Sequence, residues 1–220
     1  NSLEKSVIIT GHQAPISAMT FTSQGSNTLY TADTDGVVVE WDGSSGKAKG
    51  RVSNANLADD TDLTGKVHAG ATVTSLTFAN GALYSSGWDD CVRITKGQIC
   101  NEKLKMEAQP NAMTTGTSLV VVMTVDGLVL IKDNQIVSEL VRLPYTATAV
   151  HLSKDDSMLY VGGDDCNIYV YSVSSDNAAN PLNETHVIKG GHLKAVQSIA
   201  LSPDGSQLAA ADVRDVCVYS

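Results

Sequence analysis

The 220-residue sequence is poor in positive charge and in long apolar runs, and each shortage excludes a class of protein. Lys and Arg number 15 against 24 Asp and Glu, which gives a formal net charge of −9. Proteins that bind nucleic acid need a basic surface to displace phosphate counterions, so we expect no nucleic-acid partner. No apolar run approaches the roughly 20 residues that cross a bilayer, so we expect a cytoplasmic protein without a membrane partner.

Residues that carry catalytic or metal chemistry are present but are not arranged for it. The cysteines form no C-x-x-C pair, which predicts free thiols; they are Cys91, Cys100, Cys166 and Cys217. No G-x-S-x-G nucleophile motif occurs, and the stretch 60–65 lacks the distal Glu of a calcium loop. The sequence therefore predicts no catalytic residue, no metal and no cofactor, and hence a protein that is not an enzyme.

Acidic residues recur in adjacent pairs, and one pair belongs to a polar stretch at 53–66. Facing pairs could serve acid–base catalysis, but their recurrence at turns favours a structural role, since Asp accepts hydrogen bonds from turn backbone. Asp59, Asp60 and Asp62 predict an acidic surface loop. This loop could attract a basic patch on a partner, or it could simply be solvated.

A repeated unit is the feature from which the fold is predicted. Its first copy reads Gly11-His12, an alternating run at 16–21, a second run at 29–32, the turn Asp35-Gly36 and a third run at 37–42. Turn aspartates at Asp35, Asp89, Asp126 and Asp165 are 54, 37 and 39 residues apart, close to the roughly 40–45 residues of a four-stranded propeller blade. The longer first interval contains the polar stretch 53–66.

These copies predict an all-β fold of about five four-stranded blades in one domain, 1–220. The expected blades span 11–52, 67–105, 106–141, 142–185 and 186–220, and residues 1–10 are expected to be an outer strand of a neighbouring blade. A single blade cannot bury both of its apolar faces, so blades are expected to stack side by side.

The residues Gly11-His12, Asp35 and Trp41-Asp42 resemble the WD repeat, whose propeller blades contain a hydrogen-bonded network of His, turn Asp, strand Ser or Thr, and Trp. The resemblance implies that network at His12, Thr31, Asp35 and Trp41. Equivalent structural roles are expected for His68, Asp89, Asp126, Asp165 and His192. Use of the three in-phase histidines in a metal or catalytic site would require different blades to converge, so the structural role is favoured.

Four segments, 30–42, 84–94, 150–171 and 195–212, resemble the actin-interacting family of WD-repeat proteins. That resemblance implies two joined seven-bladed propellers, of which this chain would be the first five blades of the second. It also implies a non-enzymatic scaffold of the cytoskeleton that binds actin filaments and cooperates with ADF/cofilin in filament severing and disassembly. A generic WD-repeat interaction hub for another complex is the alternative, and a hydrolase is a distant third.

The residue just before the turn Asp often contacts partners in WD-repeat proteins, and the resemblance places Thr34, Trp88, Val125 and Asp164 there. Trp88 stands out because aromatic side chains dominate interface hot spots. The alternative is that Trp88 packs between neighbouring blades.

Overall fold

The computed structural model describes residues 11–22, 27–54 and 65–220. The described residues form nineteen β-strands in five antiparallel sheets, which confirms the predicted all-β class. Val7-Ile8-Ile9, expected as an outer strand, and the acidic loop residues Asp59, Asp60 and Asp62 lie outside the described residues. No helix in the described residues is long and apolar enough to cross a membrane. The chain divides into two compact units, Asn1–Met106 and Glu107–Ser220.

The first unit contains two four-stranded sheets, each with its strands in chain order. The first sheet consists of β1 (Ile16–Phe21), β2 (Thr28–Asp33), β3 (Val38–Asp42) and β4 (Lys47–Arg51). The second consists of β5 (Val73–Ala79), β6 (Ala82–Gly87), β7 (Cys91–Lys96) and β8 (Ile99–Lys105). The first sheet packs on β5, which buries Tyr30, Ala32 and Val38 together with Val73 and Leu76.

The second unit contains three sheets. The third consists of β9 (Pro110–Thr115), β10 (Leu119–Thr124), β11 (Leu128–Lys132) and β12 (Gln135–Ile136). The fourth consists of β13 (Ala147–Leu152), β14 (Met158–Gly163), β15 (Ile168–Val173) and β16 (Leu182–Ile188), and β16 runs past the expected boundary at 185. The fifth has three strands where four were expected, namely β17 (Ser198–Leu201), β18 (Leu208–Ala211) and β19 (Val216–Tyr219).

Tight turns between successive strands follow from local sequence. Ala79 pairs with Ala82 across the two-residue turn Asn80-Gly81, whose φ angles are 51° and 74°. Two positive φ angles define the type I′ turn, whose twist matches antiparallel strands and which Asn-Gly favours. Such turns keep consecutive strands paired within one sheet.

The second strand is the most buried strand of the second and third sheets. All six residues of β10 are buried, as are all six of β6. In the second unit, Val121 and Leu130 pack with Leu152 and Leu159 of the neighbouring sheet. Burial of both faces explains why LVVVMT reads as a continuous apolar run instead of an alternating one.

Candidate partner-binding site

A hydrogen-bonded network connects His12 to the first sheet. His12 Nδ1 donates to Asp33 Oδ2 at 2.7 Å, and His12 Nε2 lies 2.6 Å from Thr31 Oγ1. Trp41 Nε1 donates to that same hydroxyl oxygen at 2.7 Å. Because the Thr31 oxygen accepts from Trp41, its own proton is directed to His12 Nε2, which places the imidazole proton on Nδ1 against the carboxylate. Each polar group of this buried cluster therefore has a partner.

The carboxylate of the network is Asp33, and the prediction that it would be Asp35 is wrong. Asp33 ends β2 and is 2% exposed, while Asp35 lies exposed in the following turn. Asp33 Oδ1 accepts from the backbone N–H groups of Asp35 and Val37, both at 3.0 Å. One buried carboxylate thus caps the turn and orients His12. The Asp at the end of the second alternating run is the sequence feature that could have identified this carboxylate. The Asp-Gly pair was preferred because it is a common turn motif.

The second sheet builds the corresponding network without a tryptophan. His68 Nδ1 donates to Asp89 Oδ1 at 2.8 Å, and His68 Nε2 accepts from Ser85 Oγ at 2.9 Å. Arg93, which is 2% exposed, donates from Nη2 to Asp89 Oδ2 at 2.9 Å and from Nη1 to Asn54 Oδ1 at 3.2 Å. Neither Arg93 nor Ser85 was predicted to belong to this cluster.

Burial and charge set the protonation of this second network. Burial holds the pKa of His68 below its ordinary value, in spite of the hydrogen bond to Asp89. Burial alone would raise the pKa of Asp89, but the hydrogen bonds and charges of His68 and Arg93 outweigh it and lower that pKa to about 2. The cluster is therefore a neutral imidazole beside a carboxylate–guanidinium pair.

Strand register explains why the carboxylate that binds the histidine comes from the strand end in the first sheet and from the turn in the second. Gly87 pairs with Val73 as Asp33 pairs with Ile16, so a glycine stands at the Asp33 position of the second sheet. A Cβ on Gly87 would lie 2.5 Å from His68 Nδ1. Because Gly87 has no side chain, the carboxylate of Asp89, two residues further along, can reach the imidazole.

The fourth sheet keeps the glycine and the turn aspartate but uses tyrosines. A Cβ on Gly163 would collide with Asp165 Oδ1, so the same arrangement recurs. Asp165 Oδ2 accepts from the Tyr169 hydroxyl at 2.5 Å, and this bond raises the pKa of Tyr169 to about 12. The Tyr169 ring stacks on Tyr145 with centroids 3.8 Å apart, and the Tyr145 and Tyr171 hydroxyls are 2.9 Å apart.

In the third sheet the predicted aspartate takes no part in a network, whereas in the fifth sheet an aspartate that was not predicted is the partner of the histidine. Asp126 is exposed, and the hydroxyl of Thr124 accepts the turn N–H groups of Asp126 and Gly127 at 3.3 and 3.1 Å. The network role expected of Asp126 is therefore wrong, because Thr124 already caps the turn. His192 does have a carboxylate partner, Asp212, with Nδ1 and Oδ2 3.3 Å apart. Asp212 was not predicted to be that partner, because no Asp-Gly turn follows β18.

The four residues expected to contact partners share one structural position, directly after the second strand of a sheet. The backbone N–H of each donates to a carbonyl that precedes the first strand of the same sheet, at 2.9 to 3.0 Å. These bonds run from Thr34 to Pro15, from Trp88 to Thr72, from Val125 to Gln109 and from Asp164 to Thr146. Val213 follows Asp212 as Thr34 follows Asp33, is 61% exposed, and was missed by the sequence analysis.

In the first unit, Thr34 and Trp88 are neighbours joined by Thr72. The Trp88 N–H donates to the Thr72 carbonyl at 3.0 Å, and the Thr72 hydroxyl donates to the Thr34 carbonyl at 3.2 Å. Thr34 is half-buried, whereas Trp88 is 58% exposed and so is not packed between the sheets. Thr34, Thr72 and Trp88 are called the tryptophan patch below. An exposed indole of this kind is a candidate interface hot spot.

In the second unit, Val125 and Asp164 line one groove with a volume of about 620 Å³. It is called the acidic groove below. Its remaining lining comes from the turn after β10, the segment before β13, the turn after β14, and one residue each of β13 and β15. These lining residues are Asp126, Gly127, Leu143, Pro144, Tyr145, Thr146, Ala147, Asp165 and Tyr169. Carboxylates and apolar side chains therefore meet on one concave surface.

The candidate chemical groups do not assemble into a metal site in the described part of the chain. No three His, Cys, Asp or Glu side chains come together there in a way that could hold an ion. The four cysteines are free thiols, and Cys91 and Cys100 are buried. The nitrogens of His12 and His68 are both engaged by side chains of their own sheets, which suits a structural role.

Comparison with known proteins points to one repeat family. The family model "WD domain, G-beta repeat" matches residues 3–42, 144–172 and 183–215. The chain is 31% identical over 215 residues to WD repeat-containing protein 1-B of Xenopus laevis. The aligned region covers 95% of this chain and 33% of that protein.

Two further relatives extend that comparison. The 66 kDa stress protein of Physarum polycephalum is 29% identical over 95% of this chain and 32% of its own length. Actin-interacting protein 1 of Drosophila melanogaster is 26% identical over 97% of this chain and 33% of its own length. The chain thus spans about a third of the length of these curated relatives.

The Asp33 network predicts a large difference between two neighbouring aspartates. Asp33→Asn places an amide opposite the His12 Nδ1–H and should lower the free energy of unfolding by about 2 kcal/mol, since a charged hydrogen bond is lost in a buried site. Asp35→Asn, the matched control, should stay within about 0.5 kcal/mol of the unmodified chain because Asp35 is exposed. Urea unfolding measures both, and equal losses would contradict the assignment.

The lowered pKa of His68 predicts a pH dependence of stability. The unfolded chain takes up the His68 proton first, so stability is complete above about pH 6.5 and is lost as the pH falls, by up to about 1.4 kcal/mol per pH unit. His68→Gln, which can still donate to Asp89, should remove this part of the loss. Urea unfolding between pH 8 and 5 compares the two slopes. Parallel curves would show that His68 protonates equally in both states.

Proposed function

We propose that this chain, which matches the WD-repeat model over three ranges and is similar to WD-repeat proteins over most of its length, is part of a non-enzymatic scaffold that binds actin filaments. The observation that carries the proposal is similarity over nearly the whole chain to proteins named actin-interacting protein 1, in Drosophila melanogaster and in Caenorhabditis elegans. We place the protein at the cytoskeleton of the cytoplasm for the same reason. It needs no metal or cofactor in this role.

We further propose that binding cooperates with ADF/cofilin and promotes severing and disassembly of the filament. The four segments that resemble the actin-interacting family support this part. A ligand shifts an equilibrium only by its differential affinity for two states. The scaffold would therefore favour disassembly by binding cofilin-decorated filaments more tightly than bare ones, and each tenfold preference is worth about 1.4 kcal/mol.

The scaffold role is consistent with how the conspicuous polar side chains are used. His12, His68 and Asp89 have their partners within their own sheets, whereas Trp88 is exposed and Val125 lines an open groove. Repeat sheets hold such exposed residues at fixed positions, as partner-binding loops require. The proposed binding residues are Thr34, Trp88, Val125 and Asp164.

Cosedimentation with actin filaments tests the proposal. The 220-residue chain should pellet with cofilin-decorated filaments at least several-fold more than with bare filaments, because decoration changes the filament state to which it binds. Single-filament imaging should then show more severing when the chain and cofilin are both present. Equal pelleting in the two conditions would contradict the cofilin part. No pelleting in either would contradict actin binding and favour a hub for another complex.

Trp88→Ala tests whether the tryptophan patch forms the contact surface. Loss of a hot-spot indole costs about 2 kcal/mol or more, so binding to decorated filaments should weaken at least about 30-fold while the melting temperature stays unchanged. Phe21→Ala is the matched control because Phe21 is 56% exposed but pairs with Leu29, at the opposite end of β2 from Asp33. If both variants bind alike, the patch is not the contact surface.

A further inference from the structure

We infer that the acidic groove of the second unit binds an extended segment of a partner protein through one Arg or Lys side chain flanked by apolar residues. The inference goes beyond the proposed function, because it concerns the chemistry of a ligand and requires neither actin nor cofilin. It rests on the charge of the groove, on its apolar walls and on the rigidity of its backbone.

Carboxylates are the charged groups that line the groove. Asp126, Asp164 and Asp165 all contribute to its surface, and the described residues that line it include no Lys or Arg. Asp165 already accepts from Tyr169 and Asn167, so it supplies mainly charge. Asp126 makes no side-chain hydrogen bond or ion pair with a described residue. It therefore offers free acceptor oxygens to a guanidinium or an ammonium group.

A side chain suits this arrangement better than a bare metal ion. The described carboxylates do not come together in threes as ion ligands. Apolar groups instead stand beside them, with Val125 48% exposed and with Leu143, Pro144 and Tyr145 in the lining. Arg and Lys carry an apolar stem behind the charged head, so this mixture of surfaces complements them. The volume of about 620 Å³ lies within the range of ligand pockets.

The groove backbone is held in place before any ligand arrives. Asp164 and Thr146 are joined twice, by Asp164 N–H to the Thr146 carbonyl at 3.0 Å and by Thr146 N–H to Asp164 Oδ1 at 3.1 Å. The Asp126-Gly127 turn, which also lines the groove, is fixed by the Thr124 hydroxyl. A preformed site avoids the entropic cost of ordering loops on binding, so a short segment can bind measurably.

The test uses two synthetic peptides and the full 220-residue chain labelled with ¹⁵N. The probe is acetyl-Gly-Ser-Leu-Arg-Val-Gly-Ser-amide, and its match replaces Arg by citrulline, which has the same shape without the charge. Amide signals of Val125, Thr146 and Asp164 should shift with the Arg peptide. The citrulline peptide should bind at least tenfold more weakly, and added salt should weaken only the Arg peptide.

Substitutions assign the effect to the groove. Asp126→Asn/Asp164→Asn keeps an oxygen acceptor for Thr146 and should weaken the Arg peptide at least tenfold. Asp176→Asn is the control for loss of a surface carboxylate outside the groove, since Asp176 is exposed and follows the far end of β15 from the groove; it should leave binding unchanged.

Several results would overturn the inference. Equal binding of both peptides would show that charge plays no part, and no shift at millimolar peptide would show that the groove does not bind such a segment. Free arginine or Mg²⁺ that shifts the same amides with the affinity of the peptide would indicate a simple cation site. Failure of filament binding would leave this result untouched, because the peptides are tested without actin.

Discussion

In the first sheet, the position of the candidate residue Thr34 depends on a buried carboxylate at the end of the second strand. In the first sheet, Asp33 receives two turn N–H groups on one oxygen and the His12 imidazole on the other. Its burial makes each missing partner costly, so the turn has one low-energy conformation. Thr34 follows directly, and its own backbone N–H is bound to Pro15. The interior of the sheet therefore determines where the residue after the carboxylate is displayed.

Different side chains satisfy the same backbone requirement in different sheets. In the first sheet the acceptor is Asp33 at the strand end, in the fourth it is Asp165 two residues after the strand-end glycine, and in the third it is the Thr124 hydroxyl. The backbone N–H groups at the turn must be paired whichever residue accepts from them. The second and third sheets lie outside the ranges 3–42, 144–172 and 183–215 that match the family model, yet each of them forms four strands.

Sequence reasoning recovered the features that depend on neighbours along the chain. Alternating runs and Asn or Asp turns predicted the strands, because period and turn chemistry are local. It could not choose between Asp33 and Asp35, since both lie near the turn and only the fold shows which carboxylate faces His12. The exposure of Trp88 was likewise undecided, because it depends on how neighbouring sheets pack. The role of Arg93 was not predicted because its contacts with Asp89 and Asn54 depend on the tertiary structure.

The side chains at equivalent backbone positions thus differ in chemical character between the two units. An indole follows Gly87, while a valine follows Thr124 and an aspartate follows Gly163. Each is held by the same kind of backbone bond, so exchanging one for another should alter the surface with little change in the sheet below. A repeat scaffold can in this way acquire a new specificity through the residue after the carboxylate position, because that residue is fixed in place yet free of the internal network. The same separation is why stability and binding should respond to different substitutions.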